Sequence, residues 1–439
     1  MTRVYIDCSD LVIDSANTGI RRVERNIIAA ACIAGMNTGI TAFPVINLGP
    51  SFGLLQVELS SEKQSHNKVL KYFYTLYLRS LRPNRLRSLS KAAFPFLSNW
   101  LECYWKKIKF AVLPVLIILL PVLSISSLIY LLFRTRIKLS IGDVYFIPGS
   151  TWWSRDLSGQ LTKIKAAGVS FGVLLHDFIP IDYPQFCNEK FNEDFSRFIP
   201  KILKSSDFVI CISDYTKERL FSFLEKEKIK NVKVFKNYSG FKLDLASNEN
   251  LIRPDLAFMK MVYISVGTIE PRKNHAYLLD AFDLAWQHGL NPVLCIIGKY
   301  GWKSEQLVDR ILTHPEYGKR LFWFSDLNDN ELLYAYQHAR ACVYPSIVEG
   351  FGLPLIEALS LKCPVLASDI PVFHEVGGEY CHYFSLESPS FLYELIINVE
   401  KNGQLDNLGY LNDFKWPNWE ESTTKLLKIL ASLNADNDS

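Results

Sequence analysis

The chain alternates short apolar runs with longer amphipathic ones. RVYIDCS opens as a strand. TGIRRVERNIIAAACIAG then repeats apolar positions three and four apart, which predicts an amphipathic helix ending at Gly35. ITAFPVI predicts a second strand, and DVYFIPG, VSFGVLLHD and DFVICIS follow as strands that are apolar throughout. Helical patterns such as FNEDFSRFIPKILKSS lie between them. Runs that are apolar on both faces and separated by helices predict a parallel sheet covered on two sides. The second half repeats the scheme with MVYISVG, PVLCIIG, RLFWFS, ACVYPS and CPVLAS. A chain of 439 residues exceeds one ordinary core. The pattern therefore reads as α/β, with two Rossmann-like doubly wound domains facing a cleft. The expected bounds are 1–240 and 241–416, with a last helix and polar tail over 417–439 and a bridge around Asn237 to Pro254.

One stretch breaks the alternation. Residues 110–133, FAVLPVLIILLPVLSISSLIYLLF, carry no charge. A straight helix of that length spans ~36 Å, enough for a ~30 Å hydrocarbon layer. The strands on either side belong to one sheet, so both flanks must stay on one side. Lys106, Lys107 and Lys109 precede the run, and Arg134, Arg136 and Lys138 follow it. Basic residues on both flanks place both on the cytoplasmic side. Pro114 and Pro121 interrupt a helix. A shallow re-entrant or interfacial hairpin and a buried pair of core helices are the two readings. Charge favours the first. From Glu62 to Lys138 there are 14 Lys or Arg against Glu62 and Glu102, a local +12 that leaves −9 for the rest of a chain of net charge +3. Such a band, spanning an insertion of about 55–140, points to an anionic membrane surface rather than nucleic acid. The expected location is the cytoplasmic face of the cell (inner) membrane, monotopic or peripheral. The chain opens on a strand pattern, so no cleaved leader is expected.

Nine cysteines occur without CxxC or zinc-ligand spacing. Cys211, Cys295 and Cys342 fall in apolar strands, which predicts buried thiols and a reducing compartment.

The candidate chemistry centres on EGFGLPLIE, where Glu349 and Glu357 flank a glycine loop. Pro354 suits the first turn of a helix. Backbone N–H groups of Gly350, Phe351, Gly352 and Leu353, with the helix dipole behind them, offer a site for a diphosphate. A carboxylate on each side is placed to hold hydroxyl groups, the layout of a nucleotide-sugar. GTIEPRKNH follows a strand: Gly267 ends it, and Arg272 and Lys273 precede a helix from about Asn274. Arg grips two phosphate oxygens and Lys adds a point charge.

In LLHDFIP, His176 and Asp177 end a core strand where ligands bind in open sheets. In NTGIRRVER, Gly19 permits close backbone approach, and Arg21 and Arg22 are candidates for the anionic end of an acceptor or for the donor diphosphate. Thr18 reads equally as a helix cap or an acceptor contact. Ser213 or Asp214 caps a helix in ISDYTKERL, and Glu375 is expected beside the site. The only Asp-x-Asp triplet is Asp436-Asn437-Asp438, in the polar tail. No metal site or other cofactor is expected, since Arg272 and Lys273 can neutralise a leaving diphosphate. Activity is then expected to survive EDTA.

GTIEPRKNH, YPSIVEGFGLPLIEAL and PVLASDIPVFHEVGG, in that order over residues 261–385, resemble the donor half of family-four retaining glycosyltransferases of the GT-B fold. TGIRRVER and LLHDFIP resemble, more loosely, the first half of bacterial mannosyltransferase-like members that build surface polysaccharides. The resemblance implies that Glu349 contacts donor sugar hydroxyls and Glu357 holds the ribose. It implies that Arg272 and Lys273 stabilise the departing diphosphate, that His176 meets the donor sugar, and that Gly19 lies near the diphosphate and acceptor. The expected function is a retaining transferase, without a protein nucleophile. It would move a hexose, with mannose or a deoxyhexose as candidates, from a nucleotide-sugar to a lipid-linked saccharide. The basic, apolar insertion departs from the family pattern. A membrane-bound sugar-binding protein that has kept the fold without activity is the alternative. Retention of Glu349, Glu357, Arg272 and Lys273 together weighs against it.

Overall fold

A computed structural model of the chain describes residues 2–13, 19–47, 54–56, 137, 139–150, 157–241, 253–402 and 410–433. Thr18, the apolar run 110–133 and the Lys and Arg residues of the basic band lie outside these residues. The chain forms two compact units, one of Met1–Phe171 with Leu430–Ser439 and one of Gly172–Ile429.

In the first unit β1 (Arg3–Asp7) pairs in parallel with β2 (Thr41–Asn47) and β4 (Val144–Ile147). A short β3 (Leu54–Gln56) adds to β2 in the antiparallel sense. A five-residue α1 (Ser9–Ile13) follows β1. The long α2 (Gly19–Thr38) buries Val23, Ile27, Ile28, Ala31 and Ala34, the stripe that its spacing predicts. The helix does not end at Gly35. It continues to Thr38 and stops at Gly39, where φ is +69°. Gly35 serves close packing instead: a β-carbon there would stand 2.6 Å from the Ile40 carbonyl oxygen.

The second unit takes in β5 (Ser170–Leu175) from Gly172 on, and β5, β6 (Phe208–Cys211) and β7 (Lys233–Lys236) run parallel in that order. Six more strands form a parallel sheet in the order β10-β9-β8-β11-β12-β13. They are β8 (Tyr263–Val266), β9 (Leu294–Ile297), β10 (Leu321–Phe324), β11 (Ala341–Tyr344), β12 (Val365–Ser368) and β13 (Cys381–Phe384). The order reverses between β8 and β11, the topological switch point at which open α/β sheets bind ligands. Tyr263, Phe282, Leu294, Ile296, Val343 and Leu366 lie in its packed core.

Residues 237–241, the start of the expected bridge, are packed rather than loose. The Asn237 amide donates to Ser422 Oγ at 3.2 Å, and the Trp416 indole donates to the Ser239 carbonyl at 2.9 Å. A β-carbon on Gly240 would stand 2.5 Å from Trp419 Cα. Of the eight cysteines described, seven are buried and all are free thiols. Burial pushes Cys211 and Cys295 up to about 12. Among the described residues no helix is long and apolar enough to cross a membrane.

Candidate functional site

The strand β8 ends at Val266, and the N–H of Gly267 directly after it donates to the Ile297 carbonyl at 2.9 Å. The chain then makes a single 3₁₀ turn, Pro271–Lys273, before the next helix, α7 (His275–Gln287). Asn274 joins turn and helix in the left-handed conformation, φ 55°. This is one residue from the expected helix start. On the other side of the switch point, β11 leads into the loop of Glu349 and Gly350. Gly352, at φ +101°, starts α10 (Leu353–Ser360), with Pro354 in its first turn. No side chain caps that helix start. The two segments are tied by main chain: the Ile347 N–H donates to the Arg272 carbonyl at 2.8 Å.

Their side chains meet. Lys273 Nζ and Arg272 Nη1 donate to the two oxygens of Glu349. Ser346 Oγ donates to Glu349 Oε1 at 3.0 Å, and Arg272 Nη2 stands 2.6 Å from Glu270 Oε1. Glu349 is 6% exposed and Glu270 is 2% exposed. Burial alone would push Glu349 up, but Arg272 and then Lys273 more than offset it and hold the group at about 2. Glu349 is therefore ionised throughout the physiological range. Burial opposes the charge of Arg272, yet Glu349, Glu270 and Asp177 raise its pKa further.

His176 and Asp177 follow β5 and reach the same place. A β-carbon on Gly350 would collide with the His176 carbonyl oxygen and stand 2.9 Å from Asp177 Cβ. Asp177 Oδ1 accepts the Ile179 N–H at 3.0 Å. Burial pushes Asp177 up to about 6, with Arg272 pulling the other way. Ser213 caps α6 (Asp214–Lys226), accepting the Thr216 N–H at 3.0 Å, and donates to the Gly350 carbonyl at 2.8 Å. Thr216 Oγ1 lies 3.3 Å from the His176 carbonyl.

Of the predicted site residues, His176, Asp177, Gly267, Arg272, Lys273, Glu349, Gly350, Phe351, Gly352, Leu353 and Glu357 all belong to the second unit. Phe351 packs its ring against both Tyr238 and Trp416, with centroids 6.0 and 5.8 Å away. Gly19, Arg21 and Arg22 begin α2 in the first unit. A β-carbon on Gly19 would meet nothing within 4 Å, so protein packing does not demand a glycine there. Arg21 donates to the Asp10 carbonyl. Glu375, expected beside the site, accepts from the Asp214 and Tyr215 N–H groups at 2.6 and 3.0 Å at the start of α6, next to Ser213, which holds the Gly350 carbonyl. Sequence reasoning missed Glu270 and Ser346 as partners of Arg272 and Glu349, and took Ser213 only as a helix cap. Ser346, three residues before Glu349, is the one that local spacing could have found.

The sheet is of the doubly wound α/β class, with a carboxylate held by two cations and a glycine-opened helix gathered at its switch point, where such sheets bind ligands. Residues 248–407 match the sequence profile of the family described as Glycosyl transferases group 1. It is 34% identical over 291 residues to the serotype-specific mannosyltransferase WbdA of Escherichia coli, covering 63% of this chain and 35% of that protein. It is 29% identical over 234 residues to the O-antigen chain mannosyltransferase RfbU of Salmonella typhimurium, covering 52% of this chain and 60% of that one. The chain thus spans about a third of the length of WbdA. A sucrose-phosphate synthase structure from Thermosynechococcus elongatus superposes with a TM-score of 0.56 at 16% identity, covering 99% of this chain and 100% of that one. That likeness shows the fold, which is of the GT-B class.

Proposed function

We propose that this chain is a retaining, metal-independent hexosyltransferase. It moves a hexose, mannose foremost, from a nucleotide-sugar to a lipid-linked saccharide in the assembly of a cell-surface polysaccharide. The observation that carries this is Glu349, ionised and gripped by Arg272 and Lys273 beside the open N-terminus of α10. The mannosyltransferase relatives support the sugar and the pathway class. The bond from the sugar C1 to the phosphate oxygen breaks, and its electron pair leaves with the diphosphate. Arg272, Lys273 and the helix N-terminus stabilise that charge where it develops. The acceptor hydroxyl forms its new bond to C1 on the same face, and its proton passes to the departing phosphate oxygen. Glu349 orients the two cations and accepts hydrogen bonds from the sugar hydroxyls; Glu357 holds the ribose.

The basic, apolar insertion supports attachment to the cytoplasmic face of an anionic membrane, where a lipid-linked acceptor resides. The test is transfer by the full chain from a panel of GDP-, UDP- and dTDP-hexoses in EDTA, with the anomeric configuration of the product read by NMR. Transfer with retained configuration is expected. An inverted product, or activity that disappears in EDTA and returns with magnesium or manganese, overturns the mechanism.

A further inference from the structure

Behind Glu357 lies a buried pair of tyrosines. Tyr336 is on α9 (Asp329–His338), and Tyr344 ends β11. Tyr336 is fully buried and Tyr344 is 4% exposed. Burial pushes both hydroxyls well above their ordinary range, so each keeps its proton. Tyr344 OH lies 2.8 Å from the Pro354 carbonyl oxygen. Tyr336 OH lies 3.1 Å from Glu357 Oε2 and 3.4 Å from both Pro354 O and Tyr344 OH. Each hydroxyl has one proton to give. The shorter contact assigns that of Tyr344 to Pro354, which leaves the proton of Tyr336 for Glu357.

A carboxylate on a helix turns about its terminal torsions unless something fixes its plane. The Tyr336 phenol is rigid, packed on all sides and aimed at one oxygen of that carboxylate. The Tyr344 bond to Pro354 fixes the first turn of the helix that carries Glu357. We infer that Tyr336 is a positioning residue: its hydrogen bond sets the Glu357 carboxylate in the orientation that recognises the ribose hydroxyls of the donor, without Tyr336 touching the donor. This deepens the proposed function and rests on its assignment of Glu357.

The experiment compares binding of UDP and GDP with that of their 2′,3′-dideoxy analogues, by calorimetry on the full-length protein. Wild type is expected to prefer the intact ribose by about tenfold or more. Y336F should lose most of that preference while E357Q abolishes it, and Y336F/E357Q should match E357Q alone, since a residue acting through another gives non-additive effects. Y344F should keep the preference. Y336H, which returns a ring N–H donor, should recover part of it, and the comparison of Y336H with wild type stands if Y336F does not fold. A merely structural tyrosine would lower the melting temperature and leave the ribose preference intact. Full preference in Y336F, no recovered or retained dependence on the donor in Y336H, or additive losses in the double variant would overturn the inference. If wild type binds neither diphosphate, or binds the dideoxy forms equally well, the assignment of Glu357 fails and this inference fails with it.

Discussion

Gly350 lies directly against the main chain at His176: a β-carbon on it would run into the His176 carbonyl oxygen. Two loops that are far apart in sequence therefore share one surface, with Thr216 Oγ1 3.3 Å from both carbonyl oxygens and Ser213 donating to that of Gly350. Glu349 sits beside this contact with both of its oxygens held by cations.

Gly350→Ala should separate the two loops. The obstacle is backbone, which cannot swing aside, and overpacking of this kind costs about 1–3 kcal/mol. The protein should stay folded with a lowered melting temperature. Turnover should drop at least ~10-fold, because catalytic geometry tolerates less displacement than folding does. Steady-state kinetics beside a thermal melt check this, and unchanged turnover would show that the contact does not position Glu349.

Lys273→Ala removes one of the two cations on Glu349. Turnover should fall ~100-fold or more, with a smaller change in donor KM, since the charge matters most as the diphosphate departs. A variant with raised KM and normal kcat would place Lys273 in ground-state binding only.

Asp177 is expected to give the proposed donor site a pH dependence. Burial pushes its carboxyl up to about 6, with Arg272 opposing. Above pH 6 the group is ionised and repels a diphosphate; below it the repulsion is gone. Nucleotide-sugar affinity should rise as pH falls from 7.5 to 5, and Asp177→Asn should bind more tightly with a flatter profile. The diphosphate of a nucleotide-sugar does not itself titrate there, so calorimetry isolates the effect. Parallel profiles for variant and wild type would remove Asp177 from the donor's surroundings.

Glu24 sets a stability signature in the first unit. It is fully buried, neither carboxyl oxygen has a hydrogen-bond partner among the described residues, and burial, then Asp10 and Asp7, push it from 4.5 up to about 9. A carboxyl whose folded pKa is raised takes up a proton on folding. Its contribution is present below the unfolded value and is lost as pH climbs towards the folded one. Glu24→Gln carries no proton to lose. Its stability relative to wild type should grow by roughly 1 kcal/mol per pH unit between pH 6 and 8. Denaturant titrations at several pH values measure this, and a constant difference would mean that Glu24 is hydrated.

The internal strands were legible because they are apolar on both faces, as in ACVY and VLAS. Three strands escaped that reading: β3, β7 and β13. The last two are only partly buried, since each ends its row of strands and has water on one side. Gly39 rather than Gly35 ends α2, because a glycine that serves close packing looks the same in sequence as one that ends a helix.

The site divides in the same way. The sequence by itself determined which groups are present at the switch point. The glycine loop, Pro354, Glu349, Glu357 and the Arg272-Lys273 pair are local patterns, and strand–loop–helix geometry places them at the ends of β8 and β11. Only the tertiary structure decided their partners. Glu349 is bound by cations 76 and 77 positions earlier, Gly350 by Ser213 at a separation of 137, and Glu375 went to a helix start 161 positions before it. Such pairings depend on which main chains approach within hydrogen-bonding distance. Local propensity carries no information on that, because it is settled only when the sheets and helices pack.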